Sequence, residues 1–264
     1  MRSVQNLVAT AYLRSISSGR SKPAIFLCED SDGNSAGEYV LKLRAGMEAG
    51  GTGLTCELVS SLVADYLGVP TPAPAIVQLD TTIGELIANC NPEAGNIIRR
   101  SGGKNFASKV LSPGFKTWPV GKGIPAVLRA TATEIFALDA LIQNPDRRYD
   151  NPNLLWGDDQ IFVIDHDAAF SFLLEIGPHA SPWELERLRF LDDHVFYRDL
   201  KGRFEPLDRF IGALESMHDD AIDEIASEVP EQWGNADLER ITSHLKNLRE
   251  HSEEFAEAMR RRLA

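Results

Sequence analysis

The spacing of apolar residues changes several times along the chain, and each change marks an element. Residues 2–13 alternate only weakly and read as an amphipathic or extended lead-in. Ala24-Ile25-Phe26-Leu27 is a short strand, Glu29–Gly37 a turn cluster, and Glu38–Leu43 the returning strand. Period two in that strand puts Val40 and Lys42 on one face and Tyr39, Leu41 and Leu43 on the other. Gly50-Gly51-Thr52-Gly53 reads as a hinge before a helix over Leu54–Leu67, with Leu54, Leu58 and Leu62 in one stripe and Gly68 as its stop. Val69–Pro74 alternates proline and must be extended, and it feeds a strand, Ala75–Leu79.

Residues 81–123 carry the weakest pattern. A short helix near Ile83–Asn89 is expected, followed by loops marked by Gly102-Gly103, Pro113-Gly114 and the pair Gly121 and Gly123. Pro125 suits a helix start, and Val127–Gln143 carries Leu128, Ala132, Ile135, Phe136, Asp139 and Ile142 at helical spacing. That helix ends at Asn144-Pro145. Leu154-Leu155-Trp156 and Ile161–Ile164 are two short strands around the turn Gly157-Asp158-Asp159. From 184 to the end the pattern is helical, in about four segments broken at Gly202, Pro206, Pro230 and Gly234.

A hairpin carries its two open ends to one edge, so Asp146, Asn151 and Asp165 can converge on one point. Those residue types match what phosphoryl transfer needs: oxygen ligands for Mg²⁺ and a carboxylate that orients the attacking hydroxyl. Each alone is equally at home on a solvated turn; the set, placed around a hairpin, points to function. Lys42 is out of place in an apolar strand, because its ammonium is costly to bury without a counter-ion. It is either an edge residue that keeps its head in water or a phosphate-binding amine. Glu57, in the first turn of the expected helix, either compensates the helix dipole or partners Lys42. Arg14–Pro23, with Ser15, Ser17, Ser18 and Gly19, is either a plain turn or a loop whose backbone and hydroxyls face phosphates.

Composition narrows the alternatives. The chain has 264 residues and a net charge of −12, with 13 basic against 10 acidic residues in 1–130 and 14 against 29 in 131–264. So acidic a second half disfavours general nucleic-acid binding. Between 89 and 130, Arg99, Arg100, Lys104, Lys109, Lys116, Lys122 and Arg129 face only Glu93. This stretch is either a solvated loop or a surface for phosphates or an acidic substrate. Cys28, Cys56 and Cys90 show no C-x-x-C spacing, which argues against a disulfide framework or a zinc site. The six histidines read as scattered surface or core residues. With no charged-then-apolar leader and no run of about 20 apolar residues, a soluble cytoplasmic protein without a membrane role is expected.

The order of elements (serine loop, strand with Lys42, helix with Glu57, proline-rich link, long helix, Asp146-x-x-x-x-Asn151, hairpin, Asp165) resembles the HipA-like kinases, relatives of the phosphatidylinositol-kinase-like atypical kinases. The resemblance spans about residues 14–235, and Ser15-Ile16-Ser17 looks like the S-x-S of that family's glycine-rich loop. It implies an α+β, bilobal kinase-like fold: a small, mainly β lobe over 1–80 with one key helix, a linker and basic loop region over 81–123, and a larger, mainly α lobe over 124–264. It implies that Lys42 binds the ATP phosphates and Glu57 orients it, that Asp146 is the catalytic base, and that Asn151 and Asp165 hold Mg²⁺. Ser15, Ser17, Ser18, Gly19 and Val40 would line the nucleotide.

The implied activity is ATP- and Mg²⁺-dependent phosphorylation of a protein serine or threonine, with autophosphorylation within Ser15–Ser21 as an extension. The chain departs from the family in having Asp146-Arg147-Arg148 where members commonly have D-R-H. His166-Asp167 also stands where ordinary protein kinases have Phe-Gly. Asp167 reads as a cap of the next segment or as an extra metal ligand, the cap being the simpler reading. Two other functions fit the same residues. One is a catalytically weak or inactive kinase-fold binding or regulatory module; a small regulatory protein is a possible partner of the chain. The other is a metal-dependent phosphohydrolase built on Asp165-His166-Asp167.

Overall fold

The computed structural model describes residues 2–16, 21–175, 181–234 and 236–264. The first part of the chain is a closed five-stranded barrel. Its strands are β1 (Gln5–Ser15), β2 (Ala24–Glu29), β3 (Ser35–Lys42), β4 (Pro74–Leu79) and β5 (Gly103–Lys109), in the order β1-β2-β3-β5-β4. Antiparallel ladders join all neighbours except β1 and β4, which close the barrel in parallel, Gln5 opposite Ala75 through Val8 opposite Gln78. Leu7, Ala9, Phe26, Cys28, Tyr39, Leu41, Ala75, Val77 and Ala107 fill the interior. The small inward residues leave room for Phe26 and Tyr39 in a narrow barrel. Tyr39, Leu41 and Leu43 therefore share the inner face, as their alternation predicts, and Lys42 lies outside the barrel wall.

Against that outer wall packs α1 (Gly50–Tyr66), buried at every residue from Gly53 to Ala64. A helix buried all round, polar Thr55, Glu57, Ser60 and Ser61 included, is one packed on all sides. Leu54, Leu58 and Leu62 join Ile76 and Phe106 of the barrel wall to the second, larger core, which continues through the helices after residue 128. The glycines at 50–53 are the first turn of this helix rather than a hinge. Gly51 is needed for close approach: a Cβ there would lie 1.8 Å from the Trp233 carbonyl oxygen.

Residues 81–123 hold more structure than their pattern suggests. Asp80 caps α2 (Thr81–Ala88) by accepting from the Thr82 N–H, and Asn91 caps α3 (Pro92–Arg100). The two helices cross closely at Gly84 and Gly95, where a Cβ on Gly95 would meet Ala88 Cα at 2.5 Å. Strand β5 then completes the barrel, so the stretch expected to be loops and one helix supplies two helices and a central strand. The rest comprises β6 (Lys116–Thr117), α4 (Arg129–Leu141), the hairpin β7 (Leu154–Gly157) and β8 (Gln160–Val163), and five helices: α5 (Tyr197–Leu200), α6 (Asp208–Glu215), α7 (Asp219–Ser227), α8 (Leu238–Glu250) and α9 (Ser252–Leu263). The hairpin forms around the expected turn, with Leu154 opposite Val163 and Gly157 opposite Gln160. Among the described residues, no helix is long and apolar enough to cross a membrane.

Candidate active site

Three distant segments meet on the outer wall of the barrel. Lys42, at the end of β3, is buried, and its Nζ lies 2.8 Å from Glu57 Oε1 of α1 and 2.5 Å from Asp165 Oδ1, just past β8. The same amine donates to Ser21 Oγ at 3.2 Å and is 4.0 Å from Asp167 Oδ2. Burial alone would pull the Lys42 ammonium down, but Glu57, Asp165 and Asp167 outweigh it and hold it above its ordinary range. Burial would likewise raise Glu57. The Lys42 ammonium and the hydrogen bond from His166 reverse that and hold its carboxyl at about 2. The second Glu57 oxygen accepts the His166 backbone N–H at 2.9 Å. One carboxylate thus fastens the barrel lysine to the loop that carries Asp165.

Asp165 adopts a left-handed backbone, φ +62°, which is uncommon for a residue with a Cβ and typical of strained functional turns. The expected cap by Asp167 is absent: no side-chain cap precedes the turn Ser171–Leu174. Asp167 faces the lysine instead, and ligand oxygens of Glu57, Asp165 and Asp167 lie within 4.8 Å of one another. Burial, with the facing carboxylates of Asp165, Glu57 and Asp146, pushes the Asp167 carboxyl up to about 7 against the pull of Lys42. A group of hard oxygen donors with excess negative charge is the chemistry a divalent cation such as Mg²⁺ satisfies, so the residues present fit one.

Asp146 and Asn151 also meet: Asn151 Nδ2 donates to Asp146 Oδ2 at 2.9 Å, and Asn153 Nδ2 donates to the same oxygen at 3.1 Å. The Asp146 N–H is held by Asn144 Oδ1 at 3.1 Å, and Arg148 lies 3.7 Å from Asp146 Oδ1. Asn153 lies outside the Asp146-x-x-x-x-Asn151 spacing, and its place in Asn151-Pro152-Asn153 is the one local hint of its role. Of the residues expected to line a nucleotide, Val40 is half-buried on the Lys42 face, and Ser15 ends β1 with its hydroxyl 2.9 Å from Tyr12 Oη. Ser17, Ser18 and Gly19 lie outside the described residues.

Beneath the Asp146 loop is a network with no part in the expected set. Asp139, buried in α4, receives Arg147 Nε at 2.6 Å, His194 Nε2 at 3.0 Å and Asn144 Nδ2 at 3.0 Å. His194 Nδ1 accepts from the Phe196 N–H, so Nε2 carries the ring proton and donates to Asp139. Arg147 also donates to the carbonyls of Asn153 and Ile164, tying the segment before β7 to the end of β8. Burial would raise the Asp139 carboxyl, but Arg147 and His194 hold it at about 2.

The profile of the HipA-like kinase family matches residues 10–261. No curated protein matches the sequence. Among solved structures, the Helicobacter pylori proinflammatory kinase CtkA is similar with a TM-score of 0.47 and 11% identity, over 96% of this chain and 99% of that one.

Proposed function

The chain belongs to the HipA-like kinase family, and from that premise we propose that it transfers the terminal phosphoryl group of ATP, with Mg²⁺, to a serine or threonine of a protein. The observation that carries this reading is the Lys42–Glu57–Asp165 junction, which joins residues up to 123 positions apart at one amine. Lys42 binds the nucleotide phosphates, and Glu57 keeps its ammonium charged and aimed. Asp146 accepts the proton of the attacking hydroxyl, oriented by Asn151 and Asn153 from one side. Asn151 and Asp165 would hold the metal, and Asp167, whose carboxylate lies within 4.8 Å of that of Asp165, would be within reach of the same ion. Bound Mg²⁺ neutralises charge on the phosphate oxygens. The residues around it supply the positioning that dominates phosphoryl transfer.

In this reading the fold is bilobal. The barrel with α2 and α3 is the small lobe, extending to Lys109 rather than Asp80. The helices from α4 onward form the large one, and α1 is the key helix between the two cores.

The test is calorimetric titration with ATP, with and without Mg²⁺, of wild type and Asp165→Asn, followed by phosphoryl transfer by Asp146→Asn. Metal-dependent binding that weakens sharply in Asp165→Asn, with transfer abolished in a folded Asp146→Asn, is the expected result. Transfer retained by Asp146→Asn removes that residue as the base. No binding of Mg²⁺-ATP by folded wild type replaces the kinase reading with that of a binding module.

A further inference from the structure

The barrel end beside β1 and β4 opens into a cleft of about 590 Å³. Its lining is rich in donors: Arg44, Arg99 and Arg100, the Gln78 amide and the Thr81 hydroxyl. The one acid there, Asp80, already accepts the N–H and hydroxyl of Thr82 as the cap of α2. None of the three guanidinium groups has an ion-pair partner among the described residues. That is notable in a chain with an acidic excess of 12 charges.

Three of the other basic residues of 89–130 are used elsewhere, while Lys104 and Lys116 stand exposed on β5 and β6, outside the cleft. Lys109 donates to the Ala36 carbonyl, Lys122 lies 4.2 Å over the Trp156 ring, and Arg129 is 3.9 Å from Glu205. The basic stretch is therefore not one diffuse patch, and its two arginines without an ion pair, Arg99 and Arg100, meet Arg44 in this cleft.

The three arginines are also held on one rigid unit. Arg44 sits in a single 3₁₀ turn whose backbone is clamped, its own N–H to Asn105 Oδ1 and the Ala45 N–H to Ser101 Oγ, both at 3.0 Å. Arg99 and Arg100 end α3, which Gly84 and Gly95 lock against α2. Guanidinium forks carried on such a fixed backbone match carboxylates with two parallel hydrogen bonds each.

We propose that this cleft docks an acidic segment of a partner protein through carboxylates paired to Arg44, Arg99 and Arg100. The lining holds no aromatic ring on which a nucleobase could stack, and the acidic bulk of the chain repels a long polyanion. The barrel is closed and offers no free edge for strand addition. Recognition here must run through side chains. The proposal does not depend on the phosphotransfer reading, since none of these residues belongs to that site.

The experiment is fluorescence anisotropy of the full chain with a fluorescein-labelled decapeptide of alternating Glu and Asp, at two salt concentrations. The variant is Arg99→Glu/Arg100→Glu. The expected result is saturable, salt-weakened binding to wild type that falls by about tenfold or more in the variant, with an unchanged melting midpoint. Should the double reversal not fold, Arg100→Gln carries the same comparison, with a smaller loss expected. No saturable binding to wild type, or equal binding by a folded variant, overturns the proposal. So does a single-stranded oligonucleotide that binds the same arginines more tightly than the peptide.

Discussion

His244 lets one side chain be isolated in the stability of the fold. It is buried in α8, its Nε2–H donates to the Leu141 carbonyl at 2.7 Å, and its ring stacks on Phe172 at 4.6 Å. Burial pulls the imidazole from 6.5 down to about 4, opposed by the Leu141 hydrogen bond. Since the folded value is the lower one, the unfolded chain binds the extra proton first. Stability from this group is complete above pH 6.5, drains as the pH falls toward 4, and changes no further below that. A gap of that width is worth about 3 kcal/mol, a large share of the roughly 5–15 kcal/mol that holds a domain folded.

In His244→Gln the side-chain amide keeps a donor for Leu141 and does not titrate. Urea unfolding of both proteins at pH 7 and pH 4.5 gives the comparison. Wild type should lose about 2–3 kcal/mol more than the variant over that interval. Titrations common to both proteins, including the lowered His194, cancel. Parallel losses in the two proteins mean that His244 is not held neutral by burial.

Other expectations follow from the same contacts. Arg147→Met leaves the Asp139 carboxylate short of its main counter-charge in a closed interior and should cost about 3–5 kcal/mol at pH 7; a loss near zero in urea unfolding would mean the network is not charged. Gly51→Ala drives a methyl group into the Trp233 carbonyl and should cost at least about 2 kcal/mol, visible as a melting midpoint lower by about 5 °C. Lys42→Met reverses the pH behaviour of Glu57. In wild type the folded value is depressed, so its stabilisation is present above pH 4.5 and lost as the pH falls toward 2. Without the lysine cation, burial raises that carboxyl, and the variant should be less stable at pH 7 than at pH 5. Unfolding curves at those two values decide it.

The sequence exposed elements that advertise themselves locally. The Leu154–Val163 hairpin has its turn residues, β3 alternates cleanly, and Asp146, Asn151 and Asp165 sit at ends a hairpin must bring to one edge. The barrel as a closed object was not legible. It depends on β1 pairing in parallel with β4, about 70 residues away, and on β5 entering between β3 and β4, and β1 hides its inward face behind residues as small as Ala9.

Charged groups solved inside the core were also hidden. Asp139 falls at helical spacing among apolar residues, and nothing local marks it as the acceptor of three side chains. His194 and His244 read as scattered histidines because their partners, Asp139 and Leu141, are remote in sequence. Asp167 was legible as a carboxylate, but its direction was not, since a cap and a ligand look the same in one dimension.

Glu57 gives α1 a grip on two separate pieces of the molecule, through Lys42 Nζ on one oxygen and the His166 N–H on the other. At its first turn the helix is also wedged by Gly51 against Trp233, whose indole N–H reaches the Lys104 carbonyl at the start of β5. A swing of α1 cannot loosen one hold and spare the other. Any force that turns this helix therefore acts like a clutch, engaging or releasing the amine and the Asp165 loop in a single movement.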